Sequence, residues 1–217
     1  VPVCRPCLTK AEPLAADYFC VQCRTPFANS FPLDENGVCP LCRLGLRGFD
    51  AAYCYGAYEG TLRQLIHLFK YGRVKTLARP LGNYLALAIP REQRFDAIVP
   101  MPLHWRRRWQ RGFNQSALLA NEIARRSSVP VLCAVRRVRA TRPQAGLSNT
   151  ERQTNIARAF RVRRRRLVEG RRVLLIDDVM TTGATAAACA RALRDAGAKY
   201  VALLTLARVD RRGGISA

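Results

Sequence analysis

The chain has 217 residues, enough for one full α/β domain with a small appendage but not for two large domains. An apolar share of 49% predicts a packed core, while 37 Lys+Arg against 15 Asp+Glu give a formal charge of +22, a field that draws in polyanions. No apolar run is long enough to span a bilayer and no signal-peptide pattern opens the chain, so a cytoplasmic protein without a membrane span is expected. The first residue is Val1 rather than Met, which leaves room for residues upstream.

Cysteines come first along the chain. Six of the nine form three C-x-x-C pairs: Cys4 with Cys7, Cys20 with Cys23, and Cys39 with Cys42. Two intervening residues let both sulfurs face one ion from a tight turn, and two such turns complete a tetrahedral site. Disulfides compete for the same spacing, but they need an oxidising compartment that nothing else in the sequence suggests, so zinc is preferred. Cys20, Cys23, Cys39 and Cys42 are the chosen complete site, because the segment between the pairs is polar and turn-rich. Cys4 and Cys7 are then half of a second site, although spacing also permits them to pair with Cys20 and Cys23. A ribbon this small needs its metal to fold, so the expected role is structural. Cys54, Cys133 and Cys189 stand singly in apolar stretches and read as small buried hydrophobes.

The expected division is a cysteine-rich head over 1–47, a second domain over 49–210 and a tail over 211–217, with 45–48 as linker. Residues 49–58 read as a strand. Leu62, Leu65, Ile66 and Phe69 recur at helical spacing, with a stop at Gly72. A second helix is predicted over 76–88, a short strand over 95–99, and a helix over 116–126 capped by Asn114. Residues 130–138 read as a further strand. The segment 139–155 is long, polar and aperiodic, which marks a functional or mobile loop. A strand over 172–176, a helix over 185–196 and a last strand over 200–207 complete the chain. This alternation predicts an α/β fold with a parallel sheet flanked by helices. Only four of the basic residues are lysines, and between 98 and 176 nineteen arginines face three acids, Glu122, Glu151 and Glu169. The guanidinium fork matches phosphate in two places at once, though arginine-favouring codons would give the same excess on a solvated surface.

The chemistry concentrates in Val173-Leu174-Leu175-Ile176-Asp177-Asp178-Val179-Met180-Thr181-Thr182-Gly183-Ala184-Thr185. An apolar strand ends in two adjacent acids, a short loop follows, and a helix begins. Ligands of open α/β sheets bind beyond the carboxyl ends of the strands. The helix start offers free N–H groups for a phosphate, and the carboxylates suit sugar hydroxyls or a divalent cation. A phosphate with a diol beside it describes a ribose 5-phosphate group. The run is not a Walker loop, since the G-x-x-x-x-G-K spacing is absent, and Gly183 alone cannot make a dinucleotide fingerprint. The bland alternative is an ordinary strand–turn–helix connection with incidental acids.

These residues resemble the signature of type I phosphoribosyltransferases. The resemblance implies that Asp177 and Asp178 hold the ribose hydroxyls, and that Val179, Met180, Thr181, Thr182, Gly183, Ala184 and Thr185 wrap the 5-phosphate. The runs Val99-Pro100-Met101-Pro102-Leu103, Arg111-Gly112-Phe113-Asn114-Gln115 and Arg142-Pro143-Gln144-Ala145-Gly146-Leu147 are similar to motifs of the ComF family, as are Phe69-Lys70-Tyr71-Gly72 and the paired cysteines. The fold implied is a type I phosphoribosyltransferase domain with an N-terminal zinc ribbon. Pro100, Met101, Pro102, Leu103 and Arg111 are then the expected pyrophosphate contacts, with Arg142, Gln144 and Arg152 on a closing loop. Family members with a double ribbon carry four cysteine pairs where this chain has three. The ligand implied is 5-phosphoribosyl-1-diphosphate (PRPP) with Mg²⁺, the reaction phosphoribosyl transfer to an unidentified acceptor, and the setting DNA uptake. The alternative is a single-stranded DNA-binding accessory protein, in which Trp105, Trp109 and Phe113 supply stacking rings, with core packing the default for Phe113. DNA-uptake proteins and a second copy of the chain, as a homodimer, are the other candidate partners.

Overall fold

The computed structural model describes residues 3–27, 30, 33–45, 47–103, 109, 111–138 and 159–209. Helix α1 (Arg5–Thr9) comes first. Strands β1 (Tyr18–Phe19) and β2 (Pro26–Phe27) then pair antiparallel, placing Cys20 and Cys23 on the turn between them. Helix α2 (Pro40–Arg43) begins on the proline after Cys39 and carries Cys42. The larger part of the chain runs β3 (Ala51–Ala57), α3 (Gly60–Lys70), α4 (Ala78–Leu87), β4 (Ala97–Pro100), α5 (Gln115–Ser127), β5 (Val135–Arg137), β6 (Phe160–Val162), β7 (Arg172–Met180), α6 (Ala184–Asp195) and β8 (Tyr200–Arg208).

Strands β3, β8, β7 and β4 lie in that order in one parallel sheet, and a single parallel bridge from Val131 to Ile98 extends it beyond β4. The central strands β7 and β8 are covered on both faces, which is why they read as continuous apolar runs rather than alternating ones. Leu174, Ile176, Ala202 and Leu204 pack with α3, α4 and α5, while Val173, Leu175, Val201 and Leu203 pack with the alanine-rich α6. Helix α3 buries Leu62, Leu65, Ile66 and Phe69, the residues its periodicity singled out. Helix α5 is capped as its sequence predicts, with the Asn114 side chain accepting the Ser116 N–H at 3.1 Å.

Three details depart from the sequence expectation. Strand β7 does not stop at Ile176 but continues through the acids to Met180. The strand expected over 130–138 is divided, with Val131 bridged to β4 and β5 paired antiparallel with the unanticipated β6. Cys133, expected in the core, is exposed, whereas Cys189 is buried.

The cysteine-rich segment is seated on the α6 side of the sheet. Cys20, Cys23, Phe27, Cys39 and Cys42 share one apolar cluster with Phe49, Ala52, Leu203 and the α6 alanines. Gly48 lies against α6 so closely that a Cβ there would sit 2.0 Å from the Ala187 carbonyl oxygen. Among the described residues no helix is long and apolar enough to cross a membrane.

Candidate functional site

At the carboxyl end of β7 the two acids are neighbours in an extended strand, so their side chains diverge. The Asp178 carboxylate meets Lys70 Nζ at 2.8 Å, each side chain being 12% exposed. Asp177 Oδ1 accepts from Ser116 Oγ at 3.2 Å and from the Asp178 N–H at 2.9 Å. Burial, and then the charge of Asp178, push the Asp177 carboxyl up to about 7. Lys70 ends α3 and Ser116 opens α5, so a separate helix reaches each acid. The sequence singles out Lys70 only within the run Phe69-Lys70-Tyr71-Gly72. The available signal was a cation closing an otherwise apolar helix face.

Beyond β7, Thr181 and Thr182 are exposed and Gly183 adopts φ +79°, a left-handed conformation that turns the chain into α6. The Ala187 N–H bonds the Gly183 carbonyl at 2.8 Å, so the amides of the first turn lie ahead of the helix's own hydrogen-bond ladder. Ala184 N–H reaches Thr182 Oγ1 at 3.4 Å. Thr185 lies in this exposed first turn, Val179 is half-buried, and Met180 is buried among core residues. The arrangement offers an anion site at a helix start, with two carboxylates near the end of the strand that leads into it.

The Pro100 segment leaves the sheet beside this site. Pro100 pairs with Ile176, and the Met101 N–H donates to the Ile176 carbonyl at 2.8 Å. Asn114 Nδ2 in turn donates to the Met101 carbonyl at 3.0 Å, tying the α5 start to this turn. Pro100, Pro102 and Leu103 line a cavity of 640 Å³ whose basic wall is Arg136, Arg137 and Arg163. Arg111 is held over the Tyr71 ring at 5.2 Å and donates to Gln115 Oε1 at 3.2 Å. Phe113 is a core residue tilted against Phe69, while Trp109 is 85% exposed. Arg142, Gln144, Arg152, Trp105 and the arginines at 106–108 lie outside the described residues. Thr181 and Thr182 open on a different cavity from the Pro100 turn, so the residues expected to form one pocket line two.

Cys20, Cys23, Cys39 and Cys42 come together with all sulfurs within 4.8 Å of one another. The Cys20–Cys42 and Cys23–Cys39 separations of 3.8 and 3.7 Å match the edge of a tetrahedron with metal–sulfur bonds of about 2.3 Å, an edge of about 3.8 Å. The hydrogen bond from Cys39 pushes the Cys23 thiol down to about 5. That bond and burial push Cys39 up, and burial pushes Cys42 up to about 12. One thiolate therefore resists a second beside it, and a bound divalent cation removes that repulsion. Cys4 and Cys7 are exposed on and beside α1, with sulfurs 3.2 Å apart, and are not part of the group.

A parallel sheet with an acid pair and a helix start at its carboxyl edge defines a phosphoribosyltransferase-type domain. The phosphoribosyl transferase domain family model matches residues 114–215. Competence protein F of Haemophilus influenzae is 30% identical, covering 88% of this chain and 97% of that protein. The DNA utilization protein YhgH of Escherichia coli is 38% identical over 70% of this chain and 69% of its own length. The chain belongs to the competence protein F family and has the type I phosphoribosyltransferase fold. A solved structure of the glutamine phosphoribosylpyrophosphate amidotransferase of B. subtilis overlaps 60% of this chain and 26% of that one, with TM-score 0.43 and 24% identity.

Proposed function

We propose that the chain binds 5-phosphoribosyl-1-diphosphate with Mg²⁺ and serves DNA uptake or utilisation, as the names of its relatives suggest. The observation that carries the reading is the acid pair Asp177 and Asp178 set directly before the exposed Thr181 and Thr182 and the start of α6. On this reading the α6 start holds the 5-phosphate, and the acids hold the ribose hydroxyls. The Pro100 turn, with Arg136, Arg137 and Arg163 across its cavity, faces the pyrophosphate. Mg²⁺ takes oxygen ligands and is commonly held by one or two carboxylates plus substrate phosphates, a donor set that Asp177 fits. Its chemistry would be to stabilise the leaving pyrophosphate. Zn²⁺ is the ion assigned to Cys20, Cys23, Cys39 and Cys42, in a closed structural role.

Calorimetry with PRPP and Mg²⁺ tests this reading on the zinc-replete chain and on Asp177→Asn/Asp178→Asn. Saturable heat lost in the variant is expected. No heat with the wild type, or equal heat with both, overturns it.

The second reading, single-stranded DNA binding, is favoured by the 85% exposure of Trp109 in a chain of charge +22. Under it, oligonucleotide binding survives the double acid substitution.

A further inference from the structure

Both carboxylates of the acid pair have protein partners of their own. Asp178 is 8% exposed, and its Oδ1 lies 2.8 Å from Lys70 Nζ, on a side chain that is itself only 12% exposed. Lys70 closes α3, which Leu62, Leu65, Ile66 and Phe69 anchor in the core, so its ammonium stays at the end of β7. Asp177 is half-buried, and its bonds from Ser116 Oγ and the Asp178 N–H both fall on Oδ1. Oδ2 of Asp177 is then the acceptor that a ligand can use.

This pairing bears on which sugar the site takes. A site rejects an analogue lacking a hydroxyl, by about 10⁴–10⁵-fold, when the loss leaves one of its buried polar groups unpaired. Asp178 is not left unpaired, because it keeps Lys70. Drawing Asp178 away to reach a hydroxyl would strand a largely buried ammonium, which costs more than one hydrogen bond to a neutral hydroxyl returns. One free carboxylate oxygen suits one ring hydroxyl, and 2-deoxyribose keeps one of the two that ribose carries at C2 and C3.

We propose that the site takes 2-deoxyribose 5-phosphate groups on nearly equal terms with ribose 5-phosphate groups, and that Lys70 is the positioning residue responsible, holding Asp178 away from the sugar. The inference rests on the phosphoribosyl reading above and narrows it, leaving the hydroxyl contact to Asp177 and the 5-phosphate to the α6 start. Free 2-deoxyribose 5-phosphate and deoxynucleoside 5′-monophosphates both carry this group with the 3-hydroxyl unesterified. An internal residue of a DNA strand does not, so the ligand is a single sugar phosphate or nucleotide.

Calorimetry on the zinc-replete chain with Mg²⁺, direct and by displacement of PRPP, tests the proposal. The ligands are ribose 5-phosphate, 2-deoxyribose 5-phosphate, adenosine 5′-monophosphate and its 2′-deoxy form. Dissociation constants for the two sugar phosphates within about threefold of each other are expected. Displacement by the deoxynucleotide as well marks nucleotides as a source of the group, and displacement by the sugar phosphates alone marks the free sugar. Lys70→Met releases Asp178 and should shift the ratio toward ribose by about tenfold or more, while Lys70→Arg should restore it. Lys70→Met/Asp178→Asn removes the pair together and should keep both affinities. A wild-type preference for ribose 5-phosphate of about tenfold or more overturns the proposal. So does an unchanged ratio in a folded Lys70→Met, or loss of ribose 5-phosphate affinity alone in the double variant. PRPP heat that neither sugar phosphate displaces overturns it with the phosphoribosyl reading untouched. No heat with PRPP or with either sugar phosphate overturns that reading, and the proposal with it.

Discussion

Asp177 and Asp178 adjoin in one strand, yet their carboxylates are held by different helices, and this separates their behaviour. Asp177 titrates near 7 because burial and the Asp178 charge disfavour its ionised form. A folded-state value above the unfolded carboxylate value means that the folded chain takes up a proton between about pH 4 and 7. The stability contribution of this group is therefore present at low pH and is lost as pH rises through 7. Asp177→Asn keeps an acceptor for Ser116 and carries no charge, so its stability profile between pH 5 and 8 should be flatter than that of the wild type. At pH 8 the variant should be the more stable by on the order of 2 kcal/mol in urea titrations, a gain bought with weakened PRPP binding. Lys70→Met works in the opposite sense, by leaving the largely buried Asp178 charge unpaired. A loss of about 3 kcal/mol is expected, with most of it recovered in Lys70→Met/Asp178→Asn, whose pair is replaced rather than broken. Additive single effects in that cycle would show that the contact carries no coupling.

At the scale of elements, the cysteine knuckle and the turn before α6 are one packed unit, because Leu41 of α2 rests on the turn at Gly183. Cys39→Ser removes one sulfur of the tetrahedral group, and metal content by mass spectrometry should fall. PRPP affinity should fall with it, which loss of a detached ribbon would not cause. Gly48→Ala tests the other seam, since its Cβ would meet the Ala187 carbonyl carbon at 2.9 Å as well as the oxygen. Backbone cannot yield there as a side-chain tip can, and a cost of about 1–3 kcal/mol in thermal melts is expected. The same elements show what local pattern reveals. Helices α3 and α5 were legible because their burial follows a 3.6-residue period and, for α5, a local cap. The cysteine spacing was legible because each C-x-x-C turn is local, and the structure joins the two turns that were chosen. The length of β7 was hidden, since acids following an apolar run look like a strand end. They are tolerated in the strand because Lys70 and Ser116 arrive from distant helices, Ser116 from 61 residues away. Residues 130–138 look like one strand locally, but Val131 and Val135 are claimed by different partners, Ile98 and Val162.

For the whole molecule, the charge of +22 sets the background against which any anion-binding claim is measured. PRPP and single-stranded DNA are both polyanions, so attraction to either is no evidence of a site, and the salt dependence separates them. A strand laid across many arginines releases many counterions, so its affinity should fall steeply with added salt. PRPP held by the amides at the α6 start, by Asp177 and Asp178 and by the three arginines of the Pro100 cavity engages fewer cations than a strand laid across the surface, so its affinity should fall less steeply. The two titrations together, at about 50 and 200 mM salt, give a second criterion besides the acid variants. Asp177→Asn/Asp178→Asn should abolish PRPP heat at both salts and leave the DNA slope unaltered. Were PRPP binding to lose affinity with salt as steeply as DNA, and to persist in the acid variant, the arginine field would account for both ligands. The carboxyl edge of β7 would then carry no specific site. The geometry argues otherwise, because the Lys70–Asp178 pair and the Ser116–Asp177 contact fix two carboxylates beside an anion-ready helix start, an arrangement that a diffuse positive field neither needs nor explains.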